Sequence, residues 1–217
     1  MPGTRPKILG LTGNIASGKS TVAAMLAERG AVVIDSDLLV RELYADRSFA
    51  QEIAGTFGPD ALDASGQVDR KRLGTKVFGD PAALQVLEQL VHPAVDQLRS
   101  RKIAEKSATA PPIAFVNEAV KLIESGHARN CDAVWCVEST PQVQLQRLMN
   151  NRGLSEAEAA TRLAAQPSRA CKQELLASYA PGVPLTFLPN NGTREELARI
   201  VEEHWRQFLS DTRPGAG

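Results

Sequence analysis

The sequence predicts an α/β fold, a three-layer sandwich built on a five-stranded parallel sheet. Three features point there. Short apolar runs of strand length recur at residues 8–11, 31–34, 113–116, 133–137 and 183–188, with helical stretches between them. Apolar strands alternating with helices are what a parallel sheet covered on both faces requires. The first strand also leads directly into Gly13-x-x-x-x-Gly18-Lys19-Ser20, with an apolar helix start from Val22. That is the strand–loop–helix setting of a phosphate-binding loop.

The loop pattern carries its own chemistry. Backbone N–H groups over Gly13, Asn14, Ala16, Ser17 and Gly18, continuing into Lys19, Ser20 and Thr21, would wrap a triphosphate. The following helix directs the positive end of its dipole at the same anion. Lys19 would reach the β- and γ-phosphates, and the Ser20 hydroxyl would hold Mg²⁺. A nucleoside triphosphate is therefore the expected ligand, with Mg²⁺ as cofactor.

Composition limits the partners. The 217 residues are 43% hydrophobic and 23% charged, with 25 basic and 25 acidic side chains. Formal neutrality argues against a nucleic-acid binder, which is usually basic. A small polyanion held by a local cationic patch fits better. No apolar stretch approaches the roughly 20 residues of a membrane span. The strand begins so early that no secretory signal is expected, and Cys131, Cys136 and Cys171 lack metal-ligand spacing. A cytoplasmic protein with free thiols follows, with no membrane partner.

In order along the chain, the first helix runs to about Arg29, with Gly30 as its stop. The second strand ends in Asp35-Ser36-Asp37, at the carboxyl end of a parallel strand where ligands gather. If extended backbone continues, both aspartates share one side. Asp37 is alternatively a helix cap, with Ser36 also available for that role, and Asp35 divides evenly between structure and function. Residues 37–108 are expected to be almost wholly helical, with no convincing strand and a polar turn at Asp63–Gly66. Gly58-Pro59 breaks one helix, Asp80-Pro81 opens another by cap and N1 proline, and His92-Pro93 interrupts it. A soft linker is expected at 107–112.

Beyond the third and fourth strands, residues 147–172 place Arg147, Arg152, Arg162, Arg169 and Lys172 against only Glu156 and Glu158. Such a run is either a solvated face or a cationic lid over phosphates. Pro184 assigns the fifth strand to an edge or a strand start. Thr193-x-x-Glu196 caps the final helix, and only the last few residues look disordered.

These residues resemble the dephospho-CoA kinase family over nearly the whole chain. The loop is close to that family's Gly-Leu-Thr-Gly-Gly-Ile-Gly-Ser-Gly-Lys-Ser-Thr. Further likeness lies in Asp35-Ser36-Asp37 with Arg41, Phe57-Gly58-Pro59, Asp63-Ala64-Ser65-Gly66 with Asp69-Arg70, His92-Pro93, Gln144-Leu145-Gln146-Arg147, Arg152-Gly153-Leu154-Ser155 and Asn190-Asn191-Gly192. The resemblance implies transfer of the ATP γ-phosphoryl to the ribose 3′-hydroxyl of dephospho-CoA. By the same resemblance, Lys19 holds phosphates and Arg152, or Arg147, meets charge developing in transfer. Asp37 orients the hydroxyl and accepts its proton, a task needing only a weak base. Arg41 and His92 would belong to the dephospho-CoA lobe, and Asn190 to the adenine side. His92 is alternatively a helix-junction histidine satisfied by backbone.

The departures are specific. Asn14 and Ala16 replace family glycines; asparagine tolerates positive φ, and Ala16 is expected not to need it. Lys121 enters a segment that is apolar in the family, where it is a candidate contact for a substrate phosphate. Glu118 is a candidate to help hold Mg²⁺ through water.

The implied organisation is a nucleotide core of 1–36, 109–146 and 173–217, an acceptor lobe of 37–108 and a lid of 147–172. All three belong to one structural domain, 1–210, expected to be a monomer or weak homo-oligomer. Two competing readings are a kinase for another small acceptor such as a nucleotide, and a regulatory ATPase.

Overall fold

A computed structural model describes residues 6–109 and 112–211. The expectation for the last few residues, part of the 107–112 linker and the first five residues fall outside them. The chain forms two compact units, Met1–Ile34 with Ala110–Gly217, and Asp35–Thr109.

The first unit carries the sheet: β1 (Ile8–Gly13), β2 (Val32–Asp35), β3 (Phe115–Glu118), β4 (Ala133–Glu138) and β5 (Leu185–Pro189). Their spatial order is β2-β3-β1-β4-β5, and β1 pairs parallel with both β3 and β4. The strand that feeds the phosphate loop is thus central, and the order reverses around it, which is where open parallel sheets bind ligands. Alternation sorts the faces. Leu9, Leu11, Trp135 and Val137 face α1 (Lys19–Glu28) and α9 (Arg194–Ser210), packing on Val22, Leu26, Val201 and Trp205. Val134 faces the other way, onto Leu122, Ile123 and Leu176. Each fully buried leucine in these layers contributes roughly 2 kcal/mol.

β5 is an edge strand, as Pro184 predicts. The Pro184 carbonyl accepts from Val134 N at 2.8 Å, so the residue without an N–H still serves the ladder as an acceptor. At the far side, Lys7 Nζ donates to the last carbonyls of α9, Phe208 O at 2.7 Å and Leu209 O at 2.9 Å. A lysine from the start of the first strand thereby satisfies the orphan acceptors of the last helix.

The second unit is helical: α2 (Ser36–Ala45), α3 (Arg47–Phe57), α4 (Arg70–Val77) and α5 (Pro81–Thr109). Asp46, Asp69 and Asp80 each accept from two first-turn amides of the helix that follows.

Two expectations need correction here. Extended backbone does not continue through Asp37: α2 begins at Ser36, and Asp35 is its cap, accepting from Asp37 N at 2.8 Å and Leu38 N at 3.3 Å. Period-2 alignment of the two aspartates is lost with it. Nor does His92-Pro93 interrupt α5, which runs through Pro93 to Thr109 and takes in the first part of the expected linker. Proline inside a helix costs about 3 kcal/mol. Burial of Val91, Val95 and Leu98 along one face of α5 offsets that cost, while Pro93 itself is exposed.

The stretch after the lid also contains a helix not foreseen, α8 (Arg169–Tyr179), capped by Ser168. It follows α6 (Pro141–Arg152) and α7 (Glu156–Ala164), the latter closed by a Ser155/Glu158 capping box.

Candidate active site

The loop between β1 and α1 is shaped by backbone geometry. Gly18 has φ +95°, and a Cβ there would lie 2.1 Å from Asn190 Nδ2, so no other residue fits. Ala16 has φ +57°. The expectation that Ala16 avoids the left-handed region is therefore wrong: the loop's turn imposes that conformation whatever residue occupies it. An alanine there costs about 1–2 kcal/mol. Ala16→Gly should raise the melting temperature by about 1–3 °C, once the greater freedom of glycine in the unfolded chain is set against the relieved strain. Calorimetry checks this; a lowered melting point would contradict the strain.

The loop's carbonyls are tied back by side chains. Gln144 Nε2 donates to Ile15 O at 2.7 Å. Arg147 Nη1 donates to Ala16 O and Ser17 O at 3.3 and 3.4 Å, and Asn190 Nδ2 donates to Ser17 O at 2.7 Å. Arg147 also reaches Ser139 Oγ at 2.9 Å and Asn190 O at 3.1 Å. Asn14 Nδ2 donates to Pro167 O, and Gln166 Oε1 accepts from Ile15 N, both at 3.2 Å. Helix α1 has no side-chain cap and no acidic residue in its first turn. Fixed carbonyls on one side and an uncapped helix start on the other make a preorganised anion cradle.

Within that cradle Lys19 Nζ sits 2.9 Å from Glu118 Oε1, and Ser20 Oγ donates to the same oxygen at 3.4 Å. Both partners are largely buried, with side-chain exposures of 14% and 9%. A serine hydroxyl beside a carboxylate is a hard oxygen pair, the donor type that Mg²⁺ takes when phosphates and waters complete its shell. Thr21 continues the first turn, its N–H accepted by Gly18 O at 3.0 Å. Gly13 ends β1, and a Cβ there would lie 2.5 Å from Ser17 Oγ and 2.7 Å from the Val137 carbonyl, so the close approach of these strands requires glycine.

The remaining predicted residues separate. Arg147 and Asn190 meet at the loop. Arg152 closes α6 and is exposed, with no hydrogen bond or ion pair among the described residues. Lys121 is exposed in the turn after β3, where its carbonyl accepts from Ser125. Asp37, Arg41 and His92 lie in the second unit, Asp37 and Arg41 exposed on α2 and His92 half-buried in mid-α5. His92 is thus no helix-junction residue.

The cationic run 147–172 is less free than its composition suggests. Lys172 is buried in an ion pair with Glu124 at 2.8 Å. Arg169 pairs with Glu138 at 3.0 Å and stacks 3.9 Å over the Phe187 ring. Beside them burial pushes the Cys136 thiol up to about 11, which leaves it a core residue and not a nucleophile.

Sequence reasoning overlooked Ser139, Gln144 and Gln166 as loop supports. It also overlooked Arg99, buried in α5, which pairs with Asp96 and donates to Ser36 Oγ at 3.3 Å in the first turn of α2. Gln144 lies in a family-like segment, but the partners that give it and Gln166 meaning are more than a hundred residues away. An open cleft of about 400 Å³ borders the Asn190 turn, lined by residues 189–193 and by Glu196, Leu197 and Ile200 of α9.

A parallel sheet with a phosphate loop at its central strand, an uncapped helix behind it and Lys19 in the first helical turn define a P-loop kinase architecture. Residues 7–179 match the family described as dephospho-CoA kinase. Curated dephospho-CoA kinases of Geobacter sulfurreducens and Anaeromyxobacter dehalogenans are similar over nearly the full length. The first is 41% identical, covering 91% of this chain and 96% of the relative; the second is 45% identical, covering 97% and 94%. A solved Thermus thermophilus structure superposes with TM-score 0.74 at 32% identity, covering 94% of this chain and 98% of that one. The Campylobacter jejuni dephospho-CoA kinase, at TM-score 0.58 and 20% identity, shares the fold. The chain belongs to the dephospho-CoA kinase family, ATP-using phosphotransferases of the last step of coenzyme A synthesis.

Proposed function

We propose that the loop 13–21 holds the ATP phosphates here while Asp37 handles the acceptor hydroxyl. The carrying observation is the preorganised cradle: tied-back carbonyls, an uncapped α1, and Lys19 and Ser20 in its first turn. In this reading the dephospho-CoA 3′-oxygen attacks the γ-phosphorus, the bond to the ADP β-phosphate oxygen breaks, and Asp37 accepts the hydroxyl proton as transfer completes. The exposed Asp37 carboxylate makes no hydrogen bond or ion pair among the described residues, so it is available for such a partner. Lys19 meets charge on the β–γ bridge, and Arg152 covers charge developing on the transferring group. Phosphoryl transfer of this kind rests on positioning and neutralisation more than on covalent chemistry.

Mg²⁺ fits the Ser20 hydroxyl with Glu118 nearby as a carboxylate for its waters. When bound it would neutralise the β- and γ-phosphate oxygens. Arg147, Asn14, Ala16, Ser17, Gly18 and Thr21 support the phosphate side, and Asn190 with its bordering cleft supports the nucleoside. Arg41 and His92 are assigned to dephospho-CoA, and Lys121 to a substrate phosphate.

The same reading makes the protein a cytoplasmic enzyme of small-molecule substrates, without nucleic-acid or membrane partners, as a monomer or weak homo-oligomer. Formal neutrality and free cysteines support it. No described helix is long and apolar enough to cross a membrane.

ATP consumption by the purified protein should depend on dephospho-CoA, with nucleoside monophosphates and the acceptor-free reaction near background. A nucleoside monophosphate as the better acceptor would replace the acceptor assignment. Acceptor-independent hydrolysis as the main activity would sink the kinase reading.

A further inference from the structure

Residues 14–17 form a four-residue turn, closed by Ser17 N donating to Asn14 O at 3.1 Å. Ile15 and Ala16 are its central pair. Ala16 is the one non-glycine residue with positive φ among the described residues, at +57°. A negative φ at the second turn position and a positive one at the third is the type II arrangement, which calls for glycine or asparagine at the third. Alanine there favours the type I turn instead. The two types differ mainly by turning over the central peptide, here the one joining Ile15 to Ala16. That peptide is held from α6. Gln144 Nε2 donates to Ile15 O at 2.7 Å, and Gln144 is buried at 6% exposure. With the carbonyl fixed on the α6 side, the Ala16 N–H, opposed to it across a trans peptide, points away from α6. The neighbouring peptides are fixed separately. Gln166 Oε1 accepts from Ile15 N at 3.2 Å, and Arg147 Nη1 donates to Ala16 O at 3.3 Å.

We infer that Gln144 is a positioning residue for triphosphate binding, locking the Ile15–Ala16 peptide against a flip that alanine at position 16 favours. This rests on reading the loop as a triphosphate site, in which the Ala16 N–H is one of the amides around the phosphates. Flipped, the peptide would present the Ile15 carbonyl where that N–H stands, turning the negative end of a dipole toward an anion. The turn would relieve its strain at Ala16, and the site would lose its ligand. Gln144 touches no phosphate in this role. It sets the fraction of molecules whose loop is competent to bind, and apparent affinity scales with that fraction.

Calorimetric titration of the full chain with ATP in excess Mg²⁺ tests this on Gln144→Met, which keeps the length of the side chain and removes the donor. Its Kd should rise about fivefold to tenfold, the loss of competent fraction expected once alanine is free to leave the left-handed region. At saturating ATP its kcat with dephospho-CoA should stay within about twofold of wild type, because bound triphosphate selects the unflipped peptide. The discriminating readout is rescue. In the Ala16→Gly background, where glycine takes a positive φ without strain, Gln144→Met should weaken ATP binding by no more than about twofold. Gln144→Ala, smaller and compatible with a helix, should repeat both results and covers the case in which the methionine variant does not fold. Equal losses in the two backgrounds would make Gln144 a packing residue and overturn the inference, as would unchanged affinity in a folded single variant.

Failure of the kinase reading looks different. Wild type that binds ATP yet transfers to no acceptor would remove the proposed reaction and leave the affinities to decide on Gln144. Equal losses in both backgrounds of an enzyme that does phosphorylate dephospho-CoA would remove the Gln144 role alone.

Discussion

Lys19→Ala should lower kcat/KM on the order of 10²–10³-fold, the loss typical when one preorganised donor to a developing anion is removed. ATP affinity should fall with it, because the same ammonium serves bound nucleotide before transfer. The structure adds a second consequence. Deleting the ammonium leaves Glu118, 7% exposed, as a buried carboxylate without its counter-ion. Stability should therefore drop by about 1–3 kcal/mol, the range for stripping a partner from a buried polar group. The two effects separate in the double variant Lys19→Ala/Glu118→Gln. It should recover most of the lost melting temperature and none of the turnover. Steady-state kinetics with a thermal melt for each variant checks this; full activity in Lys19→Ala would contradict the phosphate-loop assignment.

Much of this site is written locally. Gly13, Gly18, Lys19 and Ser20 can be read directly because a short motif between a strand and a helix needs no distant partner to fix its shape. The caps at Asp80, Ser155 and Thr193 are legible for the same reason, since each bonds amides two or three residues on. What escaped depends on tertiary company. Arg147 reads as a lid cation, yet it lies against the loop carbonyls and Asn190, 43 positions ahead. Lys172 reads as surface charge and is buried with Glu124. Pro93 carries a strong breaking signal that is local, whereas the buried face keeping α5 continuous is set by its neighbours. Ala16 is the clearest failure. Residue preference predicts a negative φ, and the turn demanded by the loop overrides it.

Asp37→Asn should cut turnover by about 10²–10⁴-fold, the range for a positioned general base, while ATP affinity stays near wild type. The structure removes the main competing explanation for such a loss. Asp35, not Asp37, caps α2, so the Asp37 side chain carries no hydrogen bond that the helix needs. The first turn is further held by Arg99 through Ser36 Oγ. Asparagine at 37 should therefore leave the melting temperature almost unchanged, apart from a few tenths of a kcal/mol for losing an acid in the first turn. Asp35→Asn supplies the contrast, since asparagine caps nearly as well as aspartate. If Asp35 is structural, that variant should keep both stability and turnover. The diagnostic pattern is thus a large kcat loss at 37 with normal ATP binding, beside near-normal kinetics at 35. Equal losses at both positions would point to the turn as a whole. Unchanged turnover in Asp37→Asn would leave Asp37 no role in transfer and move the search for the acceptor's base elsewhere in Asp35–Thr109.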